Sequence, residues 1–402
     1  MKLWMKVLIG LGLGAVTGYF MGPAAVYLKP IGQIFLSLIN MIIVLLILSS
    51  MTVGITAIHD PKKLGRVGIK TLVLYLVTTA IAIVIGLSLS SYFRPGDSLP
   101  LILPDTFALT ETPSITEMLY SMVPSNPIQA LAEGNVLQII VFSVFLGLAI
   151  NLSGERGKPV LKVLNSLAEV MYRLTSIVME FSPIGIFAIM AWVVGTFGSH
   201  VLMPLLKFLA LYYLGCLIHV LIVFCTMLKF IAKVNPVTFF MGMKDAIIMA
   251  FSTCSSSATL PVSMKCAEEN LGISKSITSF VLPLGSTINM NGAALYQGMA
   301  AVFIAQAYGI ELNLFALMTL VITAILSSIG AAGIPGSGFI MLSVVFSSVG
   351  IPIEGLALLA GIDRVREMVS TVLNILGDAV CALVVAKQEN ESESVELAFS
   401  NT

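Results

Sequence analysis

The chain has 402 residues, of which 57% are apolar and only 10% are charged, and 21 basic side chains balance 21 acidic ones. So few charged residues cannot cover the surface of a water-soluble protein, and the zero net charge gives no reason to expect nucleic acid as a partner. Because a membrane-crossing helix needs about 20 apolar residues, the composition predicts an all-α polytopic membrane protein.

Six apolar stretches fill the first half of the chain, at 5–27, 31–58, 68–93, 134–151, 170–197 and 203–230. Basic residues cluster on every second connection: Lys62, Lys63 and Arg66 lie between the second and third stretches, and only Arg94 follows the third. This alternation follows the positive-inside rule, so we expect a cytoplasmic N-terminus and an external segment at 94–133.

The second half contains two segments of about 35 residues, at 236–270 and 312–345, that are interrupted in the middle. The interruptions are a serine-rich run at 252–257 and a glycine-rich run at 330–338. Backbone that leaves the helix inside hydrocarbon must be buried in protein or line a cavity. We therefore predict two re-entrant helical hairpins, the alternative being ordinary crossings whose small residues allow close packing. Paired broken segments of this kind are typical of a transporter binding site.

Between the predicted hairpins, the segment 276–308 is weakened as a helix by Pro283 and Gly285, close to Asn289 and Asn291. Backbone carbonyl groups freed at such a point are suitable ligands for a hard cation.

The segment 355–388 carries five polar residues spaced four, three, four and four positions apart: Asp363, Glu367, Ser370, Asn374 and Asp378. At 100° per residue they fall within about 80° of one another on a helix, so they form one polar stripe. Ionisable residues inside a membrane are candidate functional residues. The alternative is an ion-pair network with Arg364 and Arg366 that only holds helices together.

Four long motifs occur in the order CSSSATLP, PLGSTINMNGAALYQG, SSIGAAGIPGSGF and GIDRVREMVSTVLNILGD. They resemble signature stretches of the dicarboxylate/amino acid:cation symporters, the family of glutamate transporters, neutral amino acid exchangers and bacterial dicarboxylate carriers. VLYLVTTA at 73–80 and SPIGIF at 182–187 extend the resemblance over nearly the whole chain. The resemblance implies eight transmembrane segments plus two re-entrant hairpins, a homotrimer in a plasma membrane (a bacterial inner membrane), an elevator mechanism and no enzymatic activity.

The resemblance also implies a division into scaffold and transport domain. The scaffold would comprise 1–65 and 94–198. The transport domain would comprise 66–93 and 199–388, the latter with hairpin 236–270, seventh segment 276–308, hairpin 312–345 and eighth segment 355–388. Residues 389–402 would form a polar cytoplasmic tail.

Three sodium sites are implied in the same way. The first would use the backbone of Gly285 and Asn289, with Asn374 and the carboxylate of Asp378. The second would use backbone oxygens of Thr287, Ser328, Ile329 and Ala331. The third would use Tyr75, Thr78, Thr79 and Asn289, with a family aspartate at the position of Asn291. Because this chain has an amide there, we expect fewer coupled Na⁺ ions, and H⁺ in place of one Na⁺ stays open.

The implied substrate site lies between the hairpin residues Ser256, Ile334 and Gly338 and the eighth segment. Glu367 would bind a substrate ammonium group and Asn374 an α-carboxylate. Ala293, Ser370 and Thr371 complete the implied lining of the site.

Two departures from the family pattern bear on the substrate. Acidic-amino-acid carriers have an arginine at the position of Ser370 and a threonine at that of Ala293, and a buried anion without such a partner costs several kcal/mol. We therefore predict symport of a small neutral amino acid such as alanine, serine or threonine, driven by Na⁺. The alternative is Na⁺- or H⁺-coupled symport of glutamate, aspartate or a C4-dicarboxylate that uses Arg366, which we expect to pair with Asp363 or Glu367.

Overall fold

The computed structural model describes residues 3–56, 63–99, 123–134, 136–330 and 336–389, and these residues form sixteen α-helices joined by turns and short 3₁₀- or π-helical stretches. The first seven are α1 (Leu3–Met21), α2 (Lys29–Thr56), α3 (Lys63–Phe93), α4 (Pro127–Glu133), α5 (Val136–Leu152), α6 (Lys158–Glu180) and α7 (Ser182–Phe197). The other nine are α8 (Leu202–Ile218), α9 (Pro236–Gly242), α10 (Lys244–Thr253), α11 (Ser256–Lys265), α12 (Lys275–Ile288), α13 (Asn291–Ala307), α14 (Leu314–Gly330), α15 (Ser337–Ser348) and α16 (Leu356–Gln388).

Four helical spans in the described residues are long and apolar enough to cross a membrane: Ile9–Phe35, Arg66–Phe93, Ser199–Ala232 and Ile353–Gln388. Shorter apolar helices occur at Val141–Leu152, Ser182–Thr196 and Leu314–Ser328. Many large apolar side chains of these helices are exposed on the surface of the chain. This surface suits a lipid environment, where apolar side chains face hydrocarbon.

The stretch at 170–197, expected as one crossing, is divided between two helices. The amphipathic α6 ends at Glu180, and the apolar α7 begins at Ser182. Pro183 lies in the first turn of α7, where its missing N–H and fixed φ favour a helix start and prevent α6 from continuing.

One group of helices is built on close contact between α1 and α7. Gly10, Gly14 and Gly18 lie four residues apart on α1, and a Cβ atom at any of them would overlap a backbone carbonyl oxygen of α7. Small residues at this spacing let two helix backbones approach closely, which is a common means of packing within membranes. The long helix α2 packs against α5, α6 and α7, completing this group.

A second group surrounds α16, most of whose residues are buried. Helix α16 packs against α3, α8, α10, α12 and α13. Helix α3 also packs along α13, where Gly86 lies directly against the backbone of Leu295. The polar stripe of α16 is therefore enclosed by other helices.

Both broken segments contain helices that pack in pairs. Helices α10 and α11 meet at Cys254, whose φ of 53° reverses the chain, and Ser255 Oγ accepts a hydrogen bond from Ala258 N at 3.1 Å to cap α11. Helices α14 and α15 also pack together, but the intervening residues 331–335, with Ala331 and Ile334, lie outside the described residues.

Candidate functional site

The helix running through 275–307 is interrupted between α12 and α13 at Asn289 and Met290, whose ψ angles of 73° and 58° are not helical. Helix α12 contains Pro283, which weakens it near this point. The interruption faces α16, because Asn289 Nδ2 donates a hydrogen bond to Asp378 Oδ1 at 2.9 Å. The non-helical backbone at this interruption and a buried carboxylate therefore lie side by side.

Gly285, Asp378 and Tyr75 converge at this interruption. A Cβ atom at Gly285 would overlap the Asp378 carboxylate and would lie 2.6 Å from the Tyr75 hydroxyl oxygen. Tyr75 donates that hydroxyl to Val281 O at 2.8 Å, so it is held in place by the backbone of α12. Asn374, which is also expected at the first sodium site, lies one turn before Asp378 on α16.

A cluster of hydroxyl and amide groups lies next to this carboxylate. Thr78 Oγ1 is 3.4 Å from Asn289 Oδ1, and Thr79 Oγ1 is 3.1 Å from Asn291 Oδ1. All four side chains are buried, and Asn291 Nδ2 has no hydrogen-bond partner within the described part of the chain. The residues expected for the third sodium site are thus brought together, but the amide of Asn291 supplies no charge to offset a buried cation.

The residues expected for the second sodium site belong to two helices that pack together, α12 and α14. Thr287 Oγ1 donates to Leu284 O at 3.0 Å, and Ser328 Oγ donates to Ile325 O at 2.7 Å. Ile329 lies in the last turn of α14, and Ala331 lies outside the described residues.

Asn374 caps the start of α13. Its Oδ1 accepts a hydrogen bond from Gly292 N at 2.7 Å, and its Nδ2 donates to Met290 Sδ at 3.2 Å. Ser370 lies one turn earlier on α16, and a Cβ atom at Gly292 would be 2.6 Å from its Oγ. The polar stripe of α16 thus follows α13 closely from Asp378 to Ser370.

The remaining expected substrate residues surround the next turn of α16. Ala293 and Gly338 are in contact, because a Cβ atom at Gly338 would be 3.2 Å from that of Ala293 and 3.4 Å from Nη1 of Arg366. Thr371 Oγ1 donates to Glu367 O at 3.0 Å. Ser256 is buried at the start of α11, which also packs against α16.

Two ion pairs cross on this turn of α16. Arg364 Nη1 donates to Glu367 Oε2 at 3.0 Å, and Arg366 Nη2 donates to Asp363 Oδ1. Glu367 Oε1 also accepts the backbone N–H of Gly336 at the start of α15. The carboxylate expected to bind an ammonium group is therefore already neutralised by a guanidinium and covered by the hairpin.

Arg366 is 1% exposed and lies against the ring of Tyr296, with its guanidinium carbon 4.0 Å from the ring centroid. Among the residues that the structure describes, its Nε has no hydrogen-bond partner, and neither has the buried hydroxyl of Tyr296. A buried guanidinium held by one carboxylate and one aromatic face still has N–H groups to donate. The site thus contains a positive group with unused hydrogen-bonding capacity beside Ala293 and Gly338.

Sequence reasoning missed Tyr296, whereas it named Arg364 in the alternative of an ion-pair network. Tyr296 lies three residues after Ala293 on one helix face, so this spacing was available as a signal. The contact between Tyr296 and Arg366 could not be predicted from local spacing, because the two residues are far apart along the chain.

Nearly the whole chain is similar to known membrane symporters. Residues 3–388 match the model of the sodium:dicarboxylate symporter family. The proton/sodium-glutamate symport protein of Geobacillus stearothermophilus is 38% identical over 398 residues, covering 96% of this chain and 94% of the relative. The proton/glutamate-aspartate symporter of Escherichia coli (strain K12) is 38% identical over 379 residues, covering 90% and 86%. The C4-dicarboxylate transport protein of Laribacter hongkongensis is 35% identical over 407 aligned positions, covering 99% and 92%.

Proposed function

The chain belongs to the sodium:dicarboxylate symporter family, and from this premise we propose that it carries an acidic substrate with two carboxylates across the membrane together with Na⁺ or H⁺. It is a membrane symporter and not an enzyme. The observation that carries the proposal is Arg366, a buried guanidinium beside Ala293 and Gly338 with donors to spare.

The small neutral amino acid expected from Ser370 and Ala293 is not supported, since the similar proteins are named for glutamate, aspartate and C4-dicarboxylates. The alternative based on Arg366 is better supported. Arg366 lies one turn before Ser370 and about 40° around the helix, so a long side chain can bring its guanidinium toward the same pocket. There, a guanidinium can bind a carboxylate through two parallel hydrogen bonds.

Between an acidic amino acid and a C4-dicarboxylate, the ion pair of Glu367 favours the dicarboxylate. An amino acid brings an ammonium group, which needs an uncompensated carboxylate in the pocket. Glu367 is the expected partner, but Arg364 and the N–H of Gly336 already occupy its two oxygens. A substrate without an ammonium group leaves these contacts intact.

The cation pathway is proposed at the junction of α12, α13 and α16. Asp378 supplies a carboxylate beside Gly285 and Tyr75, and one buried negative charge can offset one buried cation. The cluster of Thr79 and Asn291 is neutral, which supports fewer than three coupled cations.

The two packing groups support the division expected from the sequence. We propose that α1, α2, α5, α6 and α7 form a scaffold within a homotrimer. Helices α3, α8 and α10 to α16 would form a transport domain that moves as an elevator, with the N-terminus of the chain in the cytoplasm.

Uptake by purified protein in liposomes tests the substrate proposal. Labelled succinate and labelled aspartate are offered with an inward Na⁺ gradient, with an inward H⁺ gradient and with neither, and unlabelled serine and alanine are added as competitors. We expect cation-dependent succinate uptake that exceeds aspartate uptake and is unaffected by serine or alanine. Uptake of labelled serine that neither acid inhibits would contradict the proposal.

A further inference from the structure

A cavity of about 250 Å³ lies away from the buried cation and substrate residues, between the two packing groups. Its walls include Lys29 and Gln33 of α2, Trp192 of α7, Phe339 of α15, and Glu354 and Leu356 at the start of α16. None of the residues expected to bind substrate or cation belongs to this wall.

The polar groups of the cavity lie at helix ends. Lys29 is the first residue of α2, and Glu354 precedes the first residue of α16 by two positions. Lys29 Nζ lies 4.8 Å from the ring centroid of Trp192. Lysine and tryptophan are residues that anchor a protein at the level of lipid headgroups. The pair of Lys29 and Trp192 therefore suits contact with a lipid headgroup.

Part of the cavity wall is apolar. Ile353, which belongs to this wall, is 51% exposed, and the buried side chains of Phe339 and Leu356 also line it. These side chains give an acyl chain an apolar surface to pack against.

We propose that this cavity binds a phospholipid with a phosphoethanolamine headgroup. The ammonium group of Lys29 binds the phosphate, and the carboxylate of Glu354 accepts hydrogen bonds from the primary ammonium group of the lipid. Lys29 and Glu354 share the cavity wall, and in the described residues no ion pair within 4.0 Å joins them. A choline headgroup cannot donate these hydrogen bonds, and a glycerol headgroup brings no cation for Glu354.

The bound lipid would touch both packing groups. Lys29 and Trp192 belong to the group of α2 and α7, whereas Glu354 and Phe339 belong to the group of α16 and its hairpin. Phe339 directly follows Gly338, which lies beside Arg366. Occupancy of the cavity therefore stabilises the observed position of α15 against α2 and α7.

Native mass spectrometry of the full chain tests this site with phosphatidylethanolamine, phosphatidylcholine and phosphatidylglycerol of identical acyl chains. We expect the protein to retain phosphatidylethanolamine roughly two- to fivefold better than the other two, the preference that one partly exposed charge interaction provides. Lys29→Gln should weaken retention of all three lipids. Glu354→Gln should remove the preference for phosphatidylethanolamine over the other two lipids.

Two further variants serve as checks. Ala357→Phe fills the cavity without changing a charge, so it should lower retention of all three lipids. The double variant Glu155→Gln/Lys158→Gln removes an exposed ion pair elsewhere and should behave like the wild type. Equal retention of the three lipids by the wild type, preferred retention of phosphatidylglycerol, or an unchanged preference in Glu354→Gln would overturn the proposal.

Discussion

At the scale of single residues, Asp378 is a buried carboxylate whose described hydrogen-bond donor is the neutral amide of Asn289. An ionised carboxylate in such a place needs a cation to offset its charge, and the backbone of Gly285 lies directly beside it. We expect Asp378→Asn to raise the Na⁺ concentration for half-maximal uptake by at least about tenfold. Asp97→Asn, at an exposed ion pair, is the control. An unchanged half-saturating concentration would remove Asp378 from the cation site.

Asn291 gives a second prediction about the cations. Its amide lies beside the Thr79 hydroxyl, and its Nδ2 has no partner among the described residues, so Asn291→Asp introduces a charge where a hydroxyl oxygen is already present. We expect this variant to couple one more cation per substrate than the wild type, as measured by reversal potentials in liposomes. Asn313→Asp, at the start of α14, should leave the ratio unchanged because an aspartate preserves its contact with Ala316 N. A wild-type ratio of three Na⁺ would contradict the expectation.

At the scale of elements, the contact between α1 and α7 depends on glycine. A side chain at Gly14 would overlap the carbonyl oxygen of Phe187, whereas a Cβ atom at Gly12 meets nothing within 4 Å. We therefore expect Gly14→Leu to lower stability by about 1–3 kcal/mol and Gly12→Leu to have little effect. Thermal unfolding of the two purified variants in one detergent makes the comparison. Equal stabilities of the two variants would show that the contact between α1 and α7 does not depend on a glycine at position 14.

The family and the fold class predicted from the sequence are confirmed. Local patterns were sufficient for the interrupted segments and the polar stripe from Asp363 to Asp378, because each depends on spacing within one helix. The break before Pro183 was missed because the apolar run continues across it. The stacking of Arg366 on Tyr296 was missed because tertiary packing brings these two residues together.

The predicted small neutral amino acid is not supported, and the reason again lies in tertiary packing. Ser370 and Ala293 correctly indicated that the usual carboxylate partners are absent, but the position of a long side chain depends on its surroundings. Asp363 and Tyr296 hold Arg366 inside the protein, where it is 1% exposed. The sequence alone left open whether this side chain faces lipid, an ion pair or the pocket.

At the scale of the whole molecule, Glu389 joins the end of α16 to the start of α3. It accepts hydrogen bonds from Arg66 and, at 2.6 Å, from Lys70 Nζ. These two cations lower the pKa of Glu389 below its ordinary value, chiefly through the hydrogen bond from Lys70. Because the folded protein favours the ionised form, this contact stabilises the fold above the ordinary glutamate pKa of about 4.3, and the stabilisation is lost as the pH falls through the lower folded value.

We therefore expect Glu389→Gln to be less stable than the wild type at pH 7 and as stable at a pH below the folded pKa. The measurement is thermal unfolding of both proteins across the range from neutral to acidic pH. Glu155→Gln, at an exposed pair on another connection, controls for general effects of charge. A stability difference that stays constant with pH would contradict the role of Glu389.

We propose that Arg366 determines the substrate class, and equilibrium binding of succinate to the purified protein in Na⁺ tests this proposal most directly. We expect the wild type to bind succinate and Arg366→Gln to bind it at least about thirtyfold more weakly, because a buried charge partner is lost. Ser370→Arg added to Arg366→Gln should recover part of the affinity, and Arg173→Gln, an exposed arginine on α6, should bind like the wild type. Unchanged succinate binding by Arg366→Gln, or a wild type that binds serine but not succinate, would contradict this assignment.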